Sequence, residues 1–371
     1  MSQSRTYDCV VVGAGIVGAA CAMHLARDGF SVTIVDERGV ATGTTAAGMG
    51  HIVVMDDSDA QFALTEYSQR LWDEFALTLP ADCDHENCGT IWVAADGEEL
   101  AEARRKHDFY KTRGVRSEML DEKTLREAEP NLREGLAGGL LVPGDSVVYQ
   151  PRAAAEFVDD AIRNGAETIF GRRVVKVTNG GIEFENGDRI NAGNVVVAAG
   201  IGSSDLVAGV RIRRKKGHLV ITERYPDFVG HQIVELGYLK SAHSSALDSV
   251  AFNVQPRATE QVLIGSSRQY DIDDPAVDYE ILGRMTRRAF EYMPALANLA
   301  AVRVWTGFRP ATDDNLPLIG RHPEMPNVFL AAGHEGLGIT TSAGTAAIIA
   351  DLIAGHEPAI DASPYDPARI F

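Results

Sequence analysis

Asp8 to Val12 is an apolar, β-branched run of the kind that forms a strand buried on both faces, and it breaks directly into Gly13, Gly15 and Gly18. Ala19 to Ala26 then takes on helical character. Strand, glycine turn and helix in that order make a phosphate cradle. Gly13 permits the tight turn, Gly15 lets the backbone approach a diphosphate, and Gly18 removes a side chain where helix and strand pack closest. The N–H groups at the positive end of the helix, around Ile16 and Val17, are left to hold the anion. A second apolar run, Ser31 to Val35, ends in Asp36, about twenty residues past the glycines, where a carboxylate accepts both hydroxyls of an adenosine ribose. Glu37 and Arg38 complete that end, and Arg38 keeps a 2′-phosphate reading open.

Cys9 to Ala26 contains no Asp, Glu, Lys or Arg and follows Arg5, which is also how a signal peptide or a membrane span looks. Three glycines and His24 within the run, and Asp8 in its basic flank, favour the nucleotide turn. No transmembrane segment is expected. With 371 residues the chain is long enough for two cores, and its net charge of −17 argues against a nucleic-acid partner, which needs a basic face. Two of the four cysteines, Cys9 and Cys21, fall in the buried strand and helix, so no disulfide framework is expected and a cytoplasmic setting, with peripheral association at the inner membrane left open, is the expectation. Cys83 and Cys88, with Asp82, Asp84, His85 and Glu86, read as a polar linker; metal is expected nowhere.

Residues 37 to 51 are too rich in glycine, alanine and threonine for a regular element, and the segment is expected to follow a cofactor. Thr44, Thr45 and Ala46 offer hydroxyls and N–H groups to phosphate oxygens, and Gly48, Met49 and Gly50 let a flat ring lie against the backbone. His51 is a candidate acid or base. Asp59 to Leu79, Glu98 to Arg113, Asp121 to Glu129, Pro151 to Asn164 and Tyr279 to Tyr292 carry apolar residues at helical spacing. Strands are expected at Thr90 to Ala95, Gly138 to Val142, Val147 to Tyr149, Thr168 to Phe170, Val174 to Val177, Ile182 to Phe184, Asn194 to Ala198, His218 to Thr222, Val250 to Gln255, Val262 to Gly265, Val302 to Pro310 and Val328 to Ala332. Val174 is placed to pair its backbone with an adenine edge, and Ala199 and Gly200 close a strand that repeats the opening pattern. The fold class that follows is α/β: a Rossmann-like nucleotide domain (1–82, 149–213, 300–371) interleaved with an α+β substrate domain on a mostly antiparallel sheet (83–148, 214–299).

A second glycine turn, Gly333, His334, Gly336, Leu337 and Gly338, precedes a helix from Thr340 to Ala354, with Ile339 between. Two dinucleotide-type ends on one chain suit FAD better than NAD: the diphosphate sits on the first helix and the positive end of the last stabilises a reduced flavin ring. The GAGIVG turn with Asp36, the GTTAAGMG loop, and GFRPATDDNLPLIG, which includes Gly307, followed by AAGHEGLGITTSAG together resemble the FAD-dependent amine and D-amino acid oxidoreductases: glycine oxidase, D-amino acid oxidase, sarcosine oxidase and their dehydrogenase relatives. The resemblance covers essentially the whole chain. Within the family it is most similar to D-hydroxyproline dehydrogenases and to the flavin subunit of hydrogen cyanide synthase.

What the resemblance implies is residue-specific. The arginine that binds substrate carboxylate in the motif matching WTGFRP is Arg309, and a guanidinium fork does meet a carboxylate bidentately; the competing reading pairs Arg309 with Asp313 or Asp314 on its own loop. No cysteine follows Cys88 and no histidine stands in GTTAAG, so the FAD is expected to be non-covalent. Glycine oxidases place a tyrosine on the strand matching VAFNVQP; the matching position is read as Phe252, which leaves Tyr238, Tyr270 or a further element not located from the sequence to assist Arg309. His51, His218 and His334 are further candidates for polar contacts near the ring. The implied reaction is oxidation of a small D-amino or cyclic imino acid, such as D-proline or D-hydroxyproline, to the imine, with activity rising from neutral to alkaline pH as the amine loses its proton. Oxygen, a quinone or a partner protein is left open as electron acceptor, and a homo- or hetero-oligomer is left open as the assembly.

Overall fold

A computed structural model describes residues 6–237 and 248–371. The chain divides into two units: Met1–Cys83, Tyr149–Arg214 and Phe308–Phe371 form one, and Asp84–Val148 and Lys215–Gly307 form the other.

The first unit is built on a sheet whose centre is parallel. Thr6–Val12 lies between Arg189–Val197 and Val32–Asp36, all parallel. Glu167–Phe170 extends the sheet parallel on one side, and Val328–Ala332 on the other. Leu318–Arg321 then pairs antiparallel at the edge. The near-continuous Val, Ile and Cys content of the three central strands follows from burial on both faces. The helix Ile16–Arg27 packs against Gln150–Arg163 and Ser342–Ala354, and its row of Gly18, Ala19, Ala22 and Ala26 permits that crowding because small side chains let helix axes approach. Gly181–Phe184 and Val174–Thr178 form an antiparallel flap on Arg189–Val197.

The second unit carries an eight-stranded sheet that is antiparallel except where Gln232–Glu235 runs parallel to Thr90–Ala94. Strand register separates its two faces. Ile91, Ile233, Val254 and Ile264 stand opposite one another and belong to a core with Val220, Phe252, Met285, Tyr292 and Leu296. The helix Tyr279–Tyr292, begun by Asp278 accepting from Glu280 and Ile281 N–H groups, covers that face.

Several elements depart from the sequence expectations. Residues 37–51 contain one helical turn, Thr44–Ala47, where none was expected: Gly43 and Gly48 bound it, and four residues suffice because other groups hold it. Gln232–Glu235 and Leu318–Arg321 are strands too short to show a period of two. Val148 and Tyr149 leave the strand Ser146–Val147, and Tyr149 instead begins the helix whose Pro151 sits in its first turn. Cys83 is fully buried in a 3-10 turn rather than lying in an open polar linker, and burial raises the Cys88 thiol to about 12. Among the described residues, no group of His, Cys, Asp and Glu could hold a metal ion, and no helix is long and apolar enough to cross a membrane.

Candidate functional site

The first turn is glycine-rich because the chain packs on itself there. A Cβ at Gly18 would lie 2.0 Å from the carbonyl oxygen of Gly13, and one at Gly13, where φ is +111°, would lie 2.4 Å from the carbonyl oxygen of Ala198. Gly15 differs: only the Thr45 hydroxyl, at 3.2 Å, lies within contact of a Cβ there. Gly15 is also the N-cap of Ile16–Arg27 and gives it no side-chain cap. The opening N–H groups of a helix have no acceptor within it. The Ile16 N–H donates to Thr45 Oγ1 at 3.0 Å, while Val17 and Gly18 follow with no acidic residue in the first turn. A diphosphate fits this cradle: backbone donors, a positive helix end and no side chain in the way.

Asp36 is engaged more locally than its motif suggests. One carboxylate oxygen accepts from Ala14 N–H at 2.9 Å; the other accepts from Arg38 and Gly39 N–H groups at 2.8 and 2.9 Å. It therefore fixes the end of its strand against the glycine turn; the oxygen that takes two N–H groups has both lone pairs used, and the one facing Ala14 retains a lone pair for a ribose hydroxyl. Glu37 and Arg38 form an exposed ion pair at 3.4 Å. Val174 sits on a strand that pairs with Gly181–Phe184, and its side chain belongs to the core. Ala199 and Gly200 follow the strand whose Ala198 N–H donates to Val12 O at 2.8 Å, and Gly200 has φ +56°.

The threonine loop and the second glycine turn are brought together. Ile339 Cδ1 would meet a Cβ on Gly48 at 3.0 Å. The Thr340 hydroxyl donates to His51 O at 2.9 Å and accepts from Val53 N–H at 3.3 Å. The Thr44 hydroxyl donates to Phe308 O at 2.8 Å. These hydroxyls are engaged with backbone groups that tie the loops together. Met49 is buried, Gly50 has φ +96°, and the Ala46 N–H donates to Gly43 O. Two residues given no role at the site by the sequence reading organise the pair of loops. Gln150 Nε2 donates to Thr45 O and Gly48 O at 3.0 and 2.9 Å, and Trp72 Nε1 donates to Ile339 O and Thr340 O at 3.1 and 3.0 Å. The indole in the apolar stripe of Asp59–Ala76 was the signal available for Trp72, while Gln150, just before the expected helix, gave none.

Arg309 lies over the second turn. Its Cδ and Nε stand 3.6 and 3.7 Å from where a Cβ on Gly336 would be. Gly333, with φ +80°, abuts the Thr312 methyl, Gly338 faces His334, and Leu337 O accepts the Thr341 hydroxyl at 2.8 Å. The carboxylate of Asp314 is paired with Arg369 at 2.7 Å, which leaves the loop-pairing alternative for Arg309 resting on Asp313. The His334 ring has a protein partner: its Nε2 is 3.0 Å from the Thr345 hydroxyl, and complete burial lowers its pKa to about 3. The final helix begins at Ser342, with no side-chain cap and no acid in its first turn.

In the second unit three candidates are placed differently from the sequence reading. Phe252 points into the core, its ring stacked on Tyr292 at 4.8 Å. Alternation along the strand puts Asn253 on the opposite face, in a row with Val234 and Trp92. There Asn253 Oδ1, Trp92 Nε1 and Thr90 Oγ1 are buried with no hydrogen-bond partner among the described residues. His218 is fully buried, its Nε2 accepting from Asp278 N–H at 3.0 Å and its Nδ1 2.9 Å from Ser267 Oγ, so its ring is a structural bridge. Tyr270 ends its strand beneath the Lys215 ammonium, 5.2 Å from the ring. Gly307 lies on Ala301–Ala311 with Arg309, and Tyr238 lies outside the described residues.

Two glycine turns, each meeting the start of a helix, and a parallel sheet define a flavin-dependent oxidoreductase. The chain belongs to the DAO family of FAD-dependent oxidoreductases, whose model matches residues 8–352. It is 26% identical to a glycine oxidase of Geobacillus kaustophilus over 99% of this chain and 98% of that protein. It is likewise 26% identical to hydrogen cyanide synthase subunit HcnC of Pseudomonas aeruginosa, over 99% and 97% of the two chains. The crystal structure of the Geobacillus glycine oxidase matches with a TM-score of 0.87 over 97% of this chain and 98% of that one. An L-proline dehydrogenase from P. horikoshii, 23% identical, shares the fold with a TM-score of 0.87 over 99% and 98%. FAD is the cofactor, and the first turn, with the uncapped N–H groups at the start of Ile16–Arg27, fits it.

Proposed function

We propose that the enzyme oxidises a small amino or imino acid of D configuration, a cyclic substrate of the D-proline or D-hydroxyproline kind foremost, to its imine. The observation that carries the reading is Arg309 held over the glycine turn at Gly336: a planar fork beside a residue without a side chain is suited to a carboxylate. Bound FAD supplies the two-electron acceptor for the C–H bond next to nitrogen. The Val17 and Gly18 N–H groups, Asp36 and the threonine loop would hold it. Arg309 fixes the carboxylate and so decides which Cα hydrogen is presented. No residue need act as a base: a substrate amine already neutral leaves nothing for the protein to deprotonate, and His334 and His218 are engaged elsewhere. Activity rises from neutral to alkaline pH on this reading.

The test is anaerobic bleaching of the yellow holoprotein by D-proline, the hydroxyproline isomers, glycine and sarcosine. Fastest bleaching by a D-configured imino acid supports the reading, and bleaching by glycine and sarcosine alone overturns it.

A second reading is favoured by the similarity to HcnC, which is named as a subunit: the chain would be the flavin component of a larger dehydrogenase. Purified alone, it would then be reduced by substrate yet pass electrons to neither oxygen nor a quinone, which an oxygen electrode beside a dye-reduction assay measures.

A further inference from the structure

A four-residue helical turn does not hold itself together: an isolated helix needs about 12–15 residues to be even marginally stable in water. Thr44–Ala47 is such a turn, lying between Gly43 and Gly48 in the first unit. The final carbonyls of a helix lie beyond its own ladder. Here Gly48 N–H reaches Thr45 O at 3.3 Å, and the side chain of Gln150 supplies the rest, its Nε2 donating to Thr45 O and Gly48 O at 3.0 and 2.9 Å. Gln150 is 4% exposed. Both hydrogens of its amide nitrogen are engaged by the turn, and a flipped amide would set Oε1 against two carbonyl oxygens, so the orientation is fixed. Oε1 itself is buried with no hydrogen-bond partner among the described residues. A half-paired amide is a poor way to fill buried space, so the use of this side chain lies in what its donors hold.

The turn reaches two other parts of the same unit. Thr45 Oγ1 accepts from Ile16 N–H at 3.0 Å, at the start of the helix that receives the diphosphate, and the Thr44 hydroxyl donates to Phe308 O, one residue before Arg309. Gln150 is anchored independently of all three. It opens the helix Gln150–Arg163, which packs on Ile16–Arg27, and two turns further on Phe157 stacks with Trp72 and Phe75 at 5.4 and 5.3 Å. A packed helix thus sets the place of a loop too short to place itself.

We propose that Gln150 is a positioning residue for the cofactor: its amide keeps Thr44–Gly48 in the conformation that receives FAD, and so sets how tightly FAD is held. A binding-competent conformation that is only fractionally populated weakens the apparent affinity by that fraction. The inference concerns FAD alone and stands whichever amino acid is oxidised.

The experiment starts from the FAD-loaded full chain. Wild type, Gln150→Leu and Gln150→Glu are diluted serially from about pH 6 to 9, and released flavin is read by its fluorescence; Tm is recorded, and kcat and KM are measured under saturating FAD. Gln150→Leu, close in size and without donors, is expected to raise the FAD dissociation constant about tenfold, with kcat and KM of the FAD-saturated enzyme unchanged. Gln150→Glu is the sharper variant. Its carboxylate would face two carbonyl oxygens, its acid form regains one O–H donor, and burial raises the pKa of such a group toward neutrality. This variant should therefore lose FAD at high pH and recover part of its affinity as pH falls, beyond any slope that the wild type or Gln150→Leu shows. Should Gln150→Leu fail to fold, Gln150→Glu carries the test by itself. Wild-type FAD retention in the variants, with or without a fall in Tm, overturns the proposal. So does a pH profile for Gln150→Glu parallel to that of the wild type, or a fall in kcat that saturating FAD does not restore.

Discussion

The two glycine turns of the first unit look alike in sequence and differ in what their glycines are for. At Gly13 and Gly18 any Cβ meets backbone oxygen at 2.4 and 2.0 Å, so these residues are required by the chain's packing on itself. At Gly336 a Cβ meets only the Arg309 side chain at 3.6 Å, which is ordinary contact. The first turn is thus built around its own strand and helix, with Gly15 as its one opening. In the second, Gly333, with φ +80°, is held against Thr312 by packing, whereas Gly336 lies beside Arg309, the side chain proposed to bind substrate.

The contrast is open to attack at both ends. Arg309→Ala strikes the second turn: loss of one partner of a charge-assisted pair costs about 2–5 kcal/mol, so kcat/KM for an amino acid substrate should fall by roughly two orders of magnitude or more while flavin content stays at wild type. Equal loss of flavin would erase the distinction. Gly18→Ala strikes the first, and overpacking against a carbonyl that cannot move should cost about 1–3 kcal/mol and deplete bound flavin; Gly15→Ala should leave Tm almost unchanged yet weaken FAD binding, as measured by fluorescence titration. A Gly18→Ala enzyme with full flavin and unaltered Tm would refute the packing argument.

Acid should separate the turns as well. Burial lowers His334 in the second turn to about 3 and His24 on the first helix to about 4, both below the ordinary 6.5. Between pH 6.5 and those values the unfolded chain binds protons that the folded chain does not, so stability is complete above pH 6.5 and falls as pH is lowered, by about 1.4 kcal/mol per pH unit for each histidine. Chemical unfolding from pH 7 to 4.5 should show this slope, and His334→Gln should halve it. The smallest effect belongs to Thr45→Val, which removes the hydroxyl that accepts from Ile16 N–H at 3.0 Å. Loss of a cap of this kind costs about 1 kcal/mol, visible as a drop in Tm of the apoprotein.

Much of this was legible before any coordinates. A run of Val and Ile closed by spaced glycines has one common solution in a parallel sheet, and Asp36 falls at the end of the next strand because strand and helix lengths are set by local geometry. Helices such as Tyr279–Tyr292 were readable because an amphipathic face repeats over several turns. The four-residue strand Gln232–Glu235 was not, since so short a run shows no periodicity, and the helical turn Thr44–Ala47 is held by Gln150, more than a hundred residues away in sequence.

The sequence by itself therefore determined the nucleotide turn and the family, both of them properties of contiguous residues whose spacing carries their chemistry. Only the tertiary structure decided which face a side chain takes. Phe252 and Asn253 are neighbours in sequence, but a strand sends them to opposite sides, and the choice between them was made by Tyr292 and Glu235 from other strands and helices. Likewise Thr45, His218 and His334 carry groups suited to a ligand, and the fold gave each a protein partner instead. A side chain's chemistry is local, whereas its partners are fixed by long-range packing, and function at these positions follows from the partners.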